Sequence, residues 1–184
     1  IMNFNNQIHS RAVVEVGINS VGEMKTYSEI LNPEIVIITM IGQSHLEGLK
    51  TTRGIAEEKA KLFQDSKRIS KVVFFEECLK YDCFSKWRDS ENSCLVLREG
   101  EPVGEVEPGT AHYQIWTETN KIGDSLMLRL WQSGSPTLSL SLEPVSKGMC
   151  KNLALAVLVA GELGVSEVEI SARLPQYRPS ALRG

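Results

Sequence analysis

The stretch EIVIITM, at Glu34–Met40, decides the fold of this 184-residue chain. Its apolar residues are mostly β-branched and show no polar alternation, which predicts a strand covered on both faces. Thr52–Phe63 follows with a helical pattern, and Val72–Phe75 is another short apolar run. Upstream, Ala12–Val16 is predicted as a first strand and Glu23–Leu31 as a helix. This alternation is typical of a parallel sheet with crossover helices.

The second half of the chain has a different texture. Its apolar runs are short and are separated by Gly, Asn, Asp and Pro, which predicts an antiparallel meander. In the last run leucine and serine alternate, so one face should be buried and the other wet, as at the edge of a sheet. The runs are Cys94–Leu97, Tyr113–Thr119, Ser125–Leu130 and Thr137–Leu142.

The chain returns to helix after the meander. Met149–Leu163 is apolar nearly all round, which predicts a buried helix, and Gly164 is its stop signal. Ser166 can cap a last helix, with Glu169 in the capping-box position. We therefore expect an α/β domain over residues 1–174, with a mostly parallel sheet, flanking helices and a small antiparallel extension. Residues 175–184 are polar and extended, which is typical of an interdomain linker.

Composition limits the possible functions. With 42% hydrophobic and 23% charged residues, the chain can bury a full core. A net charge of -3 gives no basic field for duplex nucleic acid, and no apolar window is long enough for a membrane span. The start of the chain lacks the pattern of a signal peptide. The cysteines show no CxxC spacing, which predicts reduced thiols in a cytoplasmic protein; they are Cys78, Cys83, Cys94 and Cys150.

Three polar residues lie where a parallel sheet would present them to a ligand. Glu15 ends the first predicted strand, His45 follows the next strand, and Lys59 lies on the helix after it. Ligands of open α/β sheets bind outside the carboxyl ends of the strands. A carboxylate, an imidazole and a lysine there indicate a metal and phosphate site. Alternatively, Glu15 is salt-bridged or turned to solvent, and His45 is an ordinary hydrogen-bonded loop residue.

Lys59 is the sharpest anomaly of the three. It shares with Ile55 and Leu62 the helix face that is predicted to point inward. Glu58 and Lys61 are predicted to lie on other faces. The Lys59 side chain either extends along the core with its ammonium at the edge, or acts on phosphate. A third possibility is carbamylation by carbon dioxide, which turns the cation into an anion that can support a metal site.

Nucleotide-binding signals are incomplete in this sequence. It contains no GxxxxGK[ST] phosphate loop, so if the protein uses ATP that loop is expected upstream of Ile1. Ile1 is not an initiator residue, and we expect the chain to be part of a longer protein. Asn152 opens the C-terminal helix and could pair with an adenine edge. Alternatively, it satisfies free backbone groups in the first helical turn.

Short motifs run through the whole chain. They are Asn3–Ile8, Val14–Asn19 with Gly22–Met24, His45–Gly48, Gly54–Ala56 with Lys59, and Asn152–Ala156. With these motifs the chain resembles the central, ATP-binding domain of the Mur ligases. The resemblance is greatest to the member that adds D-alanyl-D-alanine to UDP-N-acetylmuramoyl-tripeptide.

The resemblance implies a set of site residues. Glu15 and His45 would help to hold Mg²⁺, and Lys59 would be a carbamylated lysine that serves the same metal. His45 and Lys59 would thereby be catalytic. Asn152 would lie at the adenine of ATP.

The resemblance also implies a reaction and its substrates. The γ-phosphate of ATP would pass to the terminal carboxylate of the tripeptide precursor, and the amine of D-alanyl-D-alanine would attack the acyl phosphate. Such chemistry needs metal ions and donors that neutralise the charge on the phosphate oxygens. Asn5 and Asn6 are the candidate substrate contacts. Without a phosphate loop and a C-terminal domain, the chain by itself is not expected to be a competent ligase.

The sequence departs from the family pattern at three places. Gln7–Arg11 runs on directly where the family has a longer segment, Gly148-Met149 stands in place of a His-Asn pair, and Phe75–Glu77 replaces an Asn-x-Asp. Two alternatives therefore stay open. One is another amide ligase of the superfamily, of the folylpolyglutamate or cyanophycin type. The other is a nucleotide-binding or scaffolding domain without turnover.

Overall fold

A computed structural model describes residues 9–42, 46–64, 68–88, 94–99, 113–119, 126–132, 135–142 and 146–174. Within these ranges six strands form one sheet and follow one another in chain order. Strands β1 to β4 are parallel neighbours, and β5 and β6 continue the sheet as an antiparallel meander. The predicted α/β class is confirmed. The strands are β1 Ile35–Ile38, β2 Lys71–Phe75, β3 Cys94–Glu99, β4 Tyr113–Thr119, β5 Leu126–Gln132 and β6 Ser135–Leu142.

Helices cover both faces of the parallel part. The amino-terminal helices lie on one face, and the helices at the end of the described chain lie on the other. A 3-10 helix, Glu76–Lys80, follows β2 directly. The α-helices are α1 Glu23–Leu31, α2 Leu46–Leu49, α3 Thr52–Gln64, α4 Asp82–Arg88, α5 Lys147–Glu162 and α6 Glu167–Arg173.

Strand β2 divides the core in two. Its residues Val72–Phe75 are at most 2% exposed, as expected for a strand covered on both faces. Because side chains alternate along a strand, Val72 and Phe74 pack with α1 and α3, whereas Val73 and Phe75 pack with α5. Residues Val72–Phe75 of β2 are all apolar because alternate residues are buried in the cores on its two faces.

The predicted first strand, Ala12–Val16, is wrong. Residues 9–19 contain neither helix nor strand, and Val13 is 94% exposed. Only Val16 and Ile18 of this stretch pack on the core, against the face that carries α1 and α3. The apolar run is thus used as an extended segment that lies over helices, and it has no place in the described sheet.

The predicted direction of β3 is also wrong. Cys94–Leu97 was expected in the antiparallel meander, but β3 lies parallel between β2 and β4. Parallel neighbours need a crossover connection, and the 3-10 helix and α4 supply it. Sequence analysis did not predict α4. Its Phe84 packs edge-on against Phe74, with the ring centroids 5.2 Å apart, which fixes α4 on the sheet.

Three further predictions of local structure are confirmed for the described residues: the alternating burial of β6, the glycine that ends α5 and the capping box of α6. Leu138 and Leu140 are buried while the intervening serine is exposed. Helix α5 is followed by Gly164 with φ 84°, and α6 begins with the predicted capping box between Ser166 and Glu169. The four cysteines form no disulfide. Within the described part of the chain, every helix is too short or too polar to cross a membrane. The predicted linker, residues 175–184, lies outside the described residues.

Candidate functional site

A crevice opens at the carboxyl ends of β2 and β3, where ligands bind in sheets of this type. Its volume is about 280 Å³. The apolar floor comes from the last residues of the two strands, and the walls come from the 3-10 helix and the start of α5. The lining residues are Phe75, Glu76, Glu77, Leu97, Glu99 and Lys151.

Lys151 joins α5 to the end of β2. Its ammonium lies 3.2 Å from a carboxylate oxygen of Glu77 and 4.3 Å from the centre of the Phe75 ring. Only 18% of the Lys151 side chain is exposed. A cation between a carboxylate and an aromatic face is compensated on two sides. Lys151 is thereby held across the crevice.

Two further ion pairs cross the same edge. Arg98 of β3 lies 3.5 Å from Glu76, and Lys147 at the start of α5 lies 2.9 Å from Glu99. The hydrogen bond to Glu99 raises the pKa of Lys147, and the carboxylate charge adds to this effect. The crevice therefore combines cations with carboxylates, and it does not form a purely positive pocket.

Lys59 lies on α3 and reaches the carboxyl end of β1. Its ammonium donates a hydrogen bond of 2.7 Å to the carbonyl oxygen of Met40. Lys59 is partly buried, as the inward face of α3 predicted, and burial lowers the pKa of its amine. The interpretation of Lys59 as a side chain that extends to the edge of the core is therefore correct. The lowered pKa keeps the chemical interpretations open as well.

The 3-10 helix carries a buried thiol. Cys78 is 0% exposed, and burial raises the pKa of its thiol to about 12, with a smaller contribution in the same direction from Glu77. The positive charges of Lys59, Lys151 and Lys80 act in the opposite direction. The thiol stays protonated and acts as a small apolar group.

The segment that carries Glu15 packs against the segment that follows His45. At Gly48, on α2, an added Cβ would lie 2.1 Å from the carbonyl oxygen of Asn19. Only glycine permits such a close approach of two backbones. The structure thus brings together the segments of two predicted site residues. Glu15 itself is exposed.

Three other predicted site residues cannot be compared with the structure. His45, Asn5 and Asn6 lie outside the described residues. Among the residues that are described, no three His, Cys, Asp or Glu side chains form a group that could hold a metal ion. Mg²⁺ takes oxygen ligands. The Glu15 carboxylate fits that requirement, whereas Lys59 fits only as a carbamate, because an ammonium repels the metal. The Mg²⁺ site stays a prediction.

Asn152 lies in the second turn of α5 and its side chain is exposed. The first turn is capped by Ser146, whose hydroxyl accepts a hydrogen bond of 3.4 Å from the N–H of Met149. The interpretation of Asn152 as a cap of the first turn is therefore wrong. Its amide is exposed to solvent and can meet a ligand there.

Several charged residues with long-range partners are not predictable from local patterns. Glu77 and Lys151 are 74 positions apart, and no local pattern pairs them. Glu58 was placed on an outer face, yet it is 2% exposed. The signal that could have found it is the apolar pair Ile55 and Leu62, since Glu58 lies three and four positions from them on α3.

Comparison with known proteins gives a consistent result. The model of the Mur ligase middle domain matches residues 1–160. A stretch of 51 residues is 53% identical to UDP-N-acetylmuramoyl-tripeptide--D-alanyl-D-alanine ligase of Borreliella burgdorferi, which covers 28% of this chain and 11% of that protein.

Solved structures share the fold. MurF from Acinetobacter baumannii matches with a TM-score of 0.68 at 22% identity, over 94% of this chain and 35% of its own. MurF ligase from Thermotoga maritima in complex with ADP matches with a TM-score of 0.59 at 15% identity, over 84% of this chain and 34% of its own. The chain thus spans about a third of each solved relative. Because the family model covers most of its length, the chain belongs to the Mur ligase middle-domain family.

Proposed function

We propose that this chain is the ATP-binding central part of a cytoplasmic ligase that joins D-alanyl-D-alanine to UDP-N-acetylmuramoyl-tripeptide in peptidoglycan synthesis. The observation that carries the proposal is Lys59, a partly buried amine of lowered pKa at the carboxyl end of β1. A curated relative with that ligase name supports the choice of substrates.

Lys59 serves as a carbamate. Its neutral amine attacks carbon dioxide, an N–C bond forms, and the amine proton leaves to water. Burial favours this step because it lowers the pKa of the amine and so increases the fraction of neutral amine. The carbamate oxygens, the Glu15 carboxylate and the His45 imidazole would hold Mg²⁺. Bound Mg²⁺ supplies positive charge to the phosphate oxygens in phosphoryl transfer.

The proposed reaction has two steps. The tripeptide carboxylate attacks the γ-phosphorus of ATP and ADP leaves; the dipeptide amine then attacks the acyl carbon and phosphate leaves. Asn152 presents its exposed amide to the adenine, and Asn5 and Asn6 contact substrate.

A second candidate is a nucleotide-binding domain without turnover. The observation in its favour is the ion pairing of the crevice. Each of three cations at this edge already faces a carboxylate: Arg98, Lys147 and Lys151. Their positive charge is therefore partly neutralised before any phosphate binds. Another amide ligase of the superfamily, of the folylpolyglutamate or cyanophycin type, would share the ATP site and differ in its acceptor.

Phosphate release by the full-length protein that carries this chain separates these candidates. With ATP and Mg²⁺, we expect release that requires both UDP-N-acetylmuramoyl-tripeptide and D-alanyl-D-alanine, with L-alanyl-L-alanine as the matched control. Release with a folate or another acid acceptor in place of the tripeptide would favour the superfamily alternative. Nucleotide binding with no release for any acceptor would overturn the ligase and leave the binding domain.

A further inference from the structure

Glu58 is a carboxylate in the core. It lies on α3 directly before Lys59, and it is 2% exposed. An ionised carboxylate is costly to bury unless hydrogen-bond donors and a cation compensate for lost water. The proposed reaction assigns no role to this residue.

The partners of Glu58 come from two elements. One carboxylate oxygen accepts hydrogen bonds from the N–H groups of Gly22, at 2.7 Å, and Met24, at 3.2 Å. The other oxygen pairs with the ammonium of Lys61 at 2.5 Å. Gly22 is the N-cap of α1 and has no side chain that could cap the helix. A glutamate of α3 therefore caps α1 in place of a local residue.

The capped turn is linked to both motif segments. Glu23 accepts hydrogen bonds from the N–H groups of Asn19, at 2.7 Å, and Ser20, at 3.1 Å, which closes the turn before α1. The carbonyl oxygen of Asn19 in turn lies against Gly48. Contacts thus run from α3, through the Gly22 turn and Asn19, to α2.

We propose that Glu58 is a positioning residue: it fixes the segment of Glu15, and helix α2 that follows His45 in the chain, relative to Lys59. This inference rests on the proposed function, in which those three residues hold Mg²⁺. Glu15 is four residues before Asn19, and His45 is three residues before Gly48. Loss of the Glu58 anchor releases both segments together while Lys59 stays on its helix.

Hydrogen exchange tests the anchor without any activity. Glu58→Gln keeps the size and one acceptor oxygen but removes the charge and the Lys61 pair. We expect the amides of Asn19, Gly22 and Met24 to exchange about tenfold faster, with α5 unchanged. Glu58→Asp, which keeps the charge and shortens the reach, is measured in the same way and is expected to give the same pattern. Rates within about twofold of the wild type in both variants would overturn the anchor.

Two matched variants separate anchoring from general loosening. Glu57→Gln makes the same charge change on the exposed face of α3, where Glu57 pairs with Arg53 at 3.0 Å. Ser28→Ala removes a buried hydroxyl that donates to the Leu62 carbonyl at 3.2 Å, and so weakens the same pair of helices at its other end. Neither change should accelerate exchange at Gly22. Acceleration there by Ser28→Ala equal to that by Glu58→Gln would contradict the specific role.

Magnesium dependence tests the positioning role. In the full-length protein, Glu58→Gln should raise the Mg²⁺ concentration for half-maximal phosphate release by about tenfold or more, because a group that orients metal ligands affects metal affinity on this scale. At saturating Mg²⁺ the kcat should stay within about threefold, and Ser28→Ala should change neither value. Faster exchange with an unchanged Mg²⁺ requirement would overturn the positioning role. If Glu58→Gln accelerates hydrogen exchange as expected but the wild-type protein releases no phosphate, the proposed function is refuted and the anchoring role of Glu58 is not.

Discussion

Replacing Gly48 by alanine tests the contact that joins two motif segments. An added Cβ would lie 2.1 Å from the Asn19 carbonyl oxygen, whereas Cβ atoms essentially never come closer than 3.0 Å to another heavy atom. The two backbones would have to separate by about 0.9 Å. The obstacle is a backbone atom in a turn that Glu23 and Glu58 hold, so no side-chain rotation can relieve the clash.

The size of the effect follows from two opposing terms. Overpacking of this kind costs ~1–3 kcal/mol, and a backbone obstacle favours the upper end. Alanine regains about 1 kcal/mol over glycine as a helix former. We therefore expect Gly48→Ala to lower the free energy of unfolding by about 2 kcal/mol, which corresponds to a loss of about 4–8 °C in Tm for a chain of this size.

Gly161→Ala is the matched control for this measurement. Gly161 lies on the exposed side of α5, and an added Cβ would meet nothing within 4 Å. The same substitution should there raise stability by about 0.5–1 kcal/mol. Urea and thermal unfolding of both variants, followed by circular dichroism, give the comparison. If Gly48→Ala were as stable as Gly161→Ala, the packing of α2 on Asn19 would be refuted.

Three further predictions concern titratable groups. With carbon-13 bicarbonate, NMR should show one carbamate carbon signal, which disappears in Lys59→Arg. In the wild type the signal should fade as the pH falls through the lowered pKa of the Lys59 amine. A signal retained in the variant would refute the assignment of the carbamate to Lys59. Of the thiols, half-buried Cys83 should react first with a disulfide reagent at pH 8. The thiol of Cys78 has a pKa of about 12, so only a fraction of ~10⁻⁴ of it is thiolate at pH 8. Equal reaction rates of Cys83 and Cys78 would contradict the burial of Cys78. Ser166→Ala should raise the pKa of Glu169 toward its ordinary value, because the hydrogen bond from the Ser166 hydroxyl is the main cause of the lowered pKa. In the wild type the Glu169 carboxylate stabilises the fold above its unfolded pKa, and this stabilisation is lost as the pH falls through the folded pKa. An unchanged NMR titration of Glu169 in the variant would count against the capping box.

The sequence predicted correctly those elements whose residue pattern favours a single type of secondary structure and burial. Val72–Phe75 is short, apolar throughout and rich in β-branched and aromatic residues, which favours a strand buried on both faces. The helix over Thr52–Gln64 follows from spacing alone, and α5 follows from its apolar length and its glycine stop. In each case local chemistry and packing agree.

The errors arise where the same pattern has two solutions. Ala12–Val16 is a short apolar run of the kind that forms strands, but Val16 and Ile18 can also pack over helices from an extended segment. Strand direction is absent from periodicity, so β3 could be placed only by recognising α4, which has seven residues. Phe84 and Trp87, three positions apart, were the available signal, since both pack on Phe63.

Long-range pairing explains why the site itself was only partly predictable. The position of Lys59 at the edge of the sheet follows from helix spacing. The environment of its amine depends on which partners the other charged side chains of α3 bind. The one buried carboxylate of that helix, Glu58, is occupied by Lys61 and by the N-terminus of α1. Lys59 is left with the neutral carbonyl of Met40, and burial therefore lowers the pKa of its amine. By accepting from α1, Glu58 both fixes the turn that leads to Asn19 and leaves its neighbour without a carboxylate partner on α3. A lowered pKa increases the fraction of neutral amine that is available to carbon dioxide, so the same buried acid that would position the metal-binding segments would also favour the carbamate proposed for Lys59.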